Sequence, residues 1–294
     1  MDNILKVKMK RHNTILQFVF IIVFVMPASQ FAQQPPRTQS TVESELASIC
    51  GETFSPYAER VRLIHRLPSN LAPEQLERCR AFLESPLAGQ PLPDLEFNGL
   101  KNELVFALLR QREGLTELAE LLVRMSRAPD TDATWRDYCV QFLGKCYPRI
   151  HDAKSREAMA DALWETLKTQ RRGRAAGSAA RQLMTLGRTF PEFPSDKVAQ
   201  ASMEALLDPV SSDETRTALL QVCGTLGERG ALPTARAIAG QNSAPVLRAS
   251  AIAAVGMLGD ASDLPLLKRL AASGDVRVSR PASAAIDRIQ KSNQ

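Results

Sequence analysis

The chain has 294 residues, 44% hydrophobic but only 5% aromatic, and no alternating β-branched runs of strand length, which excludes an all-β fold and predicts an all-α one. Its formal charge is +5, with 37 basic against 32 acidic side chains. Setting aside residues 1–32, which hold Lys6, Lys8, Lys10, Arg11 and Asp2, leaves 33 against 31, too balanced for phosphate-backbone binding.

The first 32 residues read as a secretory signal. Lys6–Arg11 is a basic leader and Ile15–Met26 an apolar run interrupted by Gln17, followed by the small or breaking residues Pro27, Ala28, Ser29 and Ala32. The run is too short to span a bilayer comfortably, where about 20 residues are needed. Cleavage near Ala32 is expected. Gln30 sits where a small residue is preferred, so an uncleaved N-terminal membrane anchor stays open as the alternative. No later stretch is apolar enough to cross a membrane.

Residues 33–40 form a polar, Pro-containing linker expected to be disordered, and Thr41 can cap a helix through Cys50. Residues 41–127 are expected to form N-terminal helical hairpins packed onto the helices of residues 128–294. Ser55-Pro56 opens a helix to Leu67, and Pro73-Glu74 opens one with the stripe Leu76, Cys79, Phe82 and Leu83. Leu87–Pro93 is a loop. Asp94 caps Leu95–Gln111, with Phe97, Leu100, Leu104, Val105 and Leu108 on one face. Thr116 caps a helix bearing Leu118, Leu121, Leu122 and Met125, and Ala128–Asp132 is a turn.

Residues 128–294 carry a repeat. Arg216-x7-Gly224-x-Leu226-Gly227 returns 32 residues later as Arg248-x7-Gly256-x-Leu258-Gly259, and Leu232-Pro233 returns as Leu264-Pro265. Apolar steps of three and four residues (Ala218, Leu219, Val222, Cys223, Leu226; then Ala251, Ile252, Val255, Leu258) predict a first helix. Gly227 and Gly259 are expected to end it in the left-handed conformation. A shorter second helix comes next, with Pro233 or Pro265 in its first turn and Leu232, Ala235, Ile238, Ala239 or Leu264, Leu267, Leu270, Ala271 as its stripe. One such hairpin cannot cover its own apolar faces, so neighbours must stack. Gly224 and Gly256, inside first helices at a cost of about 1 kcal/mol each, predict close approach of a neighbouring helix.

Degenerate copies precede these two. Arg136–Gly144 aligns with Arg216–Gly224 and has Ser155–Leu167 as its partner, while Ala175–Leu186 ends in Leu186-Gly187 and is followed by a helix from Ser195 to Leu207. A last helix around Ala282–Ile289, with Arg280-Pro281 one residue out of register, is expected as a C-terminal cap.

The pattern Arg-x-x-Ala-x-x-Ala-Leu-Gly-x-Leu-Gly-Asp resembles the HEAT repeat in its short, phycobilisome-lyase-like form. Val246–Ala271 carries it best and Thr215–Ala239 nearly as well. The resemblance implies an α-solenoid of stacked antiparallel hairpins. It also implies pairing between repeats of the opening Arg with the acid after the turn, positions held by Arg216, Arg248, Glu228 and Asp260.

The motif inventory assigns no catalytic, cofactor-binding or metal-ligating residue. His12, His65 and His151 fit no ligand spacing, and there is no Cys-x-x-Cys, Gly-x-Ser-x-Gly or phosphate loop. Cys146 and His151 are separated by Tyr147-Pro148 and make no nucleophile pair. Lys168 and Arg171–Arg174 read as a solvated helix end, Glu113, Glu117 and Glu120 as a wet face, and Trp135 and Trp164 as packing residues. Cys139 and Cys146 lie roughly 10 Å apart on one helix, too far to bridge. Cys50 and Cys79 form either a disulfide across packed helices or two buried thiols, and Cys223 fills the slot of Val255.

The expected function is a non-enzymatic, exported scaffold that binds a protein partner on its concave, second-helix face, without cofactor or nucleic acid. Two alternatives stand beside it, a bilin-lyase-like protein acting as a lyase or ligand carrier, which the resemblance implies, and a nucleic-acid-binding HEAT-like protein.

Overall fold

A computed structural model describes residues 38–53 and 55–292; residues 1–37, on which the expected signal and most of the expected linker fall, lie outside them. The described residues form fourteen α-helices and no strand, stacked as an α-solenoid. None of these helices is long and apolar enough to cross a membrane. In the N-terminal part they are α1 (Gln39–Ile49), α2 (Tyr57–Arg66), α3 (Pro73–Glu84), α4 (Asp94–Leu109) and α5 (Leu115–Arg127). Next come α6 (Ala133–Cys146), α7 (Ala153–Thr169), α8 (Ala175–Leu186) and α9 (Ser195–Leu207). The clearest repeats are α10 (Asp213–Leu226) with α11 (Leu232–Gly240) and α12 (Pro245–Leu258) with α13 (Leu264–Ala271), and α14 (Val276–Ser292) closes the stack.

The even-numbered helices α2 to α14 pack in sequence as one layer. The odd-numbered helices α3 to α9 form the second, which α11 and α13 continue in chain order. Both share one buried core running through all the repeats, from Val42 to Ile289. The sequence stripes face that core: Phe97, Leu100, Leu104 and Val105 are fully buried in α4, as are Leu219, Val222 and Cys223 in α10 and Ala251, Ile252 and Val255 in α12.

The glycines inside the first helices sit where those helices touch. A Cβ on Gly256 would lie 2.6 Å from Cβ and 2.7 Å from Cα of Ala285 in α14. One on Gly177 would lie 2.7 Å from Cβ of Ala218 and 3.3 Å from Cα of Thr215 in α10. Gly224 is covered by Met257 of α12, and Gly144 by Gln182 of α8. Removing the side chain lets backbones approach, and the dispersion contacts regained offset the helix-propensity cost.

Several expectations need correction. The hairpin written by the sequence repeat, α10 with α11, is not the closest pair. The most extensive packing is between successive first helices, α10 on α12 and α12 on α14, each second helix packs on the first helix of the next repeat, α11 on α12 and α13 on α14, and a 3-10 turn, Arg229–Ala231 or Ala261–Asp263, intervenes before each second helix. Gly227 takes the left-handed conformation at φ +76°, with Glu228 N–H donating to Cys223 O at 2.9 Å. Gly259 does not, at φ −82°. There a Cβ would strike the Asp263 carboxylate and the Val255 carbonyl. Helix α1 takes in Gln39 and Ser40, so Thr41 lies within its first turn instead of capping it. Gly114 at φ +77°, not Thr116, stands before α5. The last helix starts at Val276 and contains Pro281. Its buried Val278, Ala282, Ala285 and Ile289 repeat Leu247, Ala251, Ala254 and Leu258 one residue short of the 32-residue period.

All five cysteines are free. Burial pushes the thiol of Cys50 up to about 11 and those of Cys79, Cys146 and Cys223 up to about 12, so the thiolate is disfavoured at each.

Gly256→Ala is expected to destabilise by roughly 1–3 kcal/mol in urea unfolding despite its better helix propensity, because Ala285 backbone must move. Gly240→Ala, with nothing within 4 Å of the added Cβ, should be neutral or mildly stabilising. For Cys223, stability tied to the neutral thiol is present below the ordinary value of 9.0 and is lost as pH rises toward about 12. Cys223→Val should match wild type at pH 7 to within about 1 kcal/mol and lose less Tm between pH 9 and 11.

Candidate functional site

A recess of about 650 Å³ opens between two successive inter-helix turns. Its walls come from the loop after α3, the start of α4, the end of α5 and the turn into α6. The turn is fixed by Asp132. Its Oδ1 caps α6 by accepting from the backbone N–H of Thr134 and Trp135, both at 3.0 Å, and also accepts from Asn98 Nδ2 at 2.8 Å. That one oxygen ties α4 to α6 and sets Asn98 and Trp135 in the same wall.

Lys101, one helical turn after Asn98, lines the same cavity and is only 3% exposed. Its ammonium donates to the Ser85 carbonyl at 2.6 Å and lies 4.9 Å from the Phe97 ring centre and 5.2 Å from that of Trp135. Burial lowers its pKa to about 8, and the charge of Asp132 offsets this only in part.

Two further atoms of this wall have no partner among the described residues: Oδ1 of Asn98, an acceptor, and Nε1 of Trp135, a donor. Asn98 is 3% exposed and Trp135 1%. Both atoms are themselves buried, so they lie behind the wall and do not face the recess. Leu87, Met125 and Ala128 give the recess an apolar side, while Asp94 and Asp130 stand exposed at its rim beside the paired Glu84 and Arg124. Its charges are four acids against two bases, net −2.

A second, shallower recess of about 390 Å³ lies farther along the stack, among Leu206, Leu207, Pro233, Ile238 and Arg216. There Nε of Arg216 is buried and has no partner among the described residues.

The arginines that open first helices do not pair with the acids after the turns, contrary to what the repeat resemblance implied. Arg216 and Arg248 donate to the carbonyls of Asp208 and Ala239, and Arg136 to those of Ala128, Pro129 and Thr131. Arg60 of α2 does the same at Ile49, through Nε at 2.9 Å. Each one caps the end of the preceding helix, where carbonyls lack intrahelical partners and the dipole is negative. Glu228 and Asp260 instead accept from the nearby N–H groups of Gly230 and Ser262. Ion pairs between repeats come from other residues. Arg236 grips the buried Asp263 with two bonds, 2.6 and 2.9 Å, Arg127 meets Glu165 at 2.8 Å, and Arg156 meets Glu192 at 2.6 Å.

Of the residues singled out in the sequence, Trp135 is a core residue that also lines the cavity, whereas Trp164 is half-buried against the core. Arg171 is held by Asp208, and the loop around it is pinned to α10, with Ser212 and Thr215 hydroxyls donating to Gly173 O. His65 meets Glu103 at 2.7 Å, and His151 is exposed. Among the described residues no three His, Cys, Asp or Glu side chains cluster as a metal site would require. Asn98 and Lys101 were not found from the sequence. The available signal was that Lys101 falls midway between Phe97 and Val105, four residues from each, on the buried stripe of α4.

The family model for HEAT repeats matches residues 199–286, the stretch from α9 into α14. A solved structure of human deoxyhypusine hydroxylase in complex with glycerol is similar over 86% of this chain and 96% of its own, at 16% identity and a TM-score of 0.35. A search of curated proteins finds no match.

Replacing the buried charge tests the cavity wall. Lys101→Met is expected to be as stable as wild type at pH 7 or more so, since an apolar group of similar volume spares the cost of a buried ammonium. The sign for pH comes from the lowered pKa. Between about 8 and 10.5 the unfolded chain holds this proton more often than the folded one, so wild type gains stability from Lys101 as pH rises. The gap between variant and wild type should therefore narrow across that window in paired thermal melts.

Proposed function

We propose that this chain is an exported, non-enzymatic repeat scaffold that binds another protein. HEAT repeats over residues 199–286 support the scaffold reading, because stacked helices present a long surface with little chemistry of its own. Lys6–Arg11 and Ile15–Met26 support export. The observation that carries the binding part is the cavity between α4, α5 and α6, where an apolar side of Leu87, Met125 and Ala128 meets the exposed acids Asp94 and Asp130. These are groups that hold and orient a partner.

Affinity capture from fractionated cells tests this reading. The tagged chain is expected in the exported fraction, shortened near Ala32, together with a stoichiometric protein that captures it in return. A full-length chain found in the cytoplasm would contradict export. A chain recovered alone from every fraction at native abundance would contradict the scaffold.

A further inference from the structure

The edge of the stack away from the cavity is basic where the ends of α4 and α6 meet. Arg110, Lys145 and Arg149 gather there, with Arg112 two residues further along the chain, and all four are exposed. Arg149 reaches across to the Leu109 carbonyl, and Arg110 donates to that of Phe106 at 3.3 Å, so both answer the negative pole of α4. Lys145 and Arg112 do not. The Lys145 ammonium stands over two rings set edge to face, 4.3 Å from the centre of Phe106 and 4.9 Å from that of Phe142. Neither this ammonium nor the Arg112 guanidinium has a hydrogen-bond or acid partner among the described residues. Burial lowers the Lys145 pKa, and it is the Cys146 thiol, not a carboxylate, that acts against this.

The acids of this edge leave those charges unanswered. Glu103 meets His65, Asp152 accepts from the Ser155 N–H at 2.7 Å to cap α7, and Glu113 follows Arg112 in the turn. Nor does the repeat call for a cation here. Thr225 and Met257 stand where Lys145 does in the two clear repeats, and the turns after α10 and α12 carry the acids Glu228 and Asp260.

We infer that the basic end of the α4–α6 pair binds an acidic segment of a protein partner. Carboxylates of the segment meet Lys145 and Arg112 first, the two cations that the fold leaves unused, and the free donors of Arg110 and Arg149 complete the contact. The inference rests on the protein-binding reading above and adds a second contact at the other end of α4 from the cavity. Two bound carboxylates would also answer the charge that the rings desolvate. A nucleic acid suits the site less well, because a chain of phosphates asks for a longer track of cations than this one crossing offers, and beyond residue 32 the charges nearly balance. A second copy of this chain would need roughly 1,200 Å² of buried surface, more than four side chains cover.

Fluorescence anisotropy on the full chain tests this with two capped pentapeptides carrying the same neutral dye, one with glutamates at its second, third and fifth positions and one with lysines there. The glutamate peptide is expected to bind saturably by millimolar concentration, more weakly as salt rises, and the lysine peptide not to bind. Lys145→Gln and Arg112→Gln should each weaken it about two- to fivefold, the worth of an exposed ion pair, and together about tenfold. The Arg112 side chain touches nothing in the fold, so its variant reads binding alone. The pair Arg172→Gln and Arg174→Gln removes the same charge at the opposite edge and should leave the affinity unchanged. Lys145→Glu with Arg112→Glu should reverse the preference in favour of the lysine peptide.

No saturable binding of the glutamate peptide would overturn the inference, as would equal weakening by the Arg172 and Arg174 pair, which would show diffuse charge and no site. It would also fall if a six-nucleotide single-stranded RNA bound at least tenfold more tightly through Lys145 and Arg112, or if inorganic phosphate displaced the peptide at equal concentration. Dimers seen by light scattering and lost in the Lys145 and Arg112 variant would give the site to a second copy and overturn it too. These outcomes are separable from failure of the scaffold reading. A partner captured equally by wild type and by the Lys145 and Arg112 variant keeps the scaffold and places its contact elsewhere. A chain that captures no partner at all removes the scaffold itself.

Discussion

The solenoid depends on how closely its first helices can approach. Gly144, Gly177, Gly224 and Gly256 each sit in a first helix at the point where the next one crosses, and at Gly177 and Gly256 the neighbour is backbone or Cβ, with no flexible side chain to give way. A stack of hairpins has no single central core, so its stability is close to a sum of neighbour terms. Each glycine contact is one such term, and the fully buried rows in α10 and α12 exist because the contacts bring those rows together.

A second constraint fixes angle where the glycines fix distance. Arg60, Arg136, Arg216 and Arg248 all reach back to the last carbonyls of the helix before them, so each first helix is tied to the end of its predecessor. Each second helix accordingly packs on the first helix of the next repeat, α9 on α10, α11 on α12 and α13 on α14. Arg236 and Asp263 then join one repeat to the next through a carboxylate that is 3% exposed. That acid also accepts from the Asp260 N–H at 3.1 Å, so the same side chain shapes the turn and holds the neighbour.

The repeat, its stripes and the crossing role of the interior glycines were legible because they recur at fixed spacing, and recurrence is what sequence shows best. The destination of the repeat arginines was not. A guanidinium suits a carboxylate and a helix-end carbonyl equally well, and only the packing of α9 on α10 and of α11 on α12 decides between them. The cavity was less legible still. Its wall draws on Ser85, Asn98, Lys101, Met125, Asp132 and Trp135, which belong to no motif and meet only after several helices have stacked. The single trace was a lysine on the buried stripe of α4. Asp132 was placed in a turn, but its three-donor oxygen could not be seen before Asn98 was known to lie beside it.

That first helices are joined through missing side chains is tested most directly by a double-mutant cycle at the α8–α10 crossing. Gly177→Ala, Ala218→Gly and the pair together are compared by urea unfolding at one pH. An added Cβ at 177 collides with Cβ of Ala218 at 2.7 Å, and the next atom lies 3.3 Å away, so removing the Ala218 methyl should relieve most of the strain. The pair is expected to be more stable than the sum of its single changes by about 1 kcal/mol or more. Additivity within about 0.3 kcal/mol would show that the two positions do not press on one another and would contradict the close-approach account.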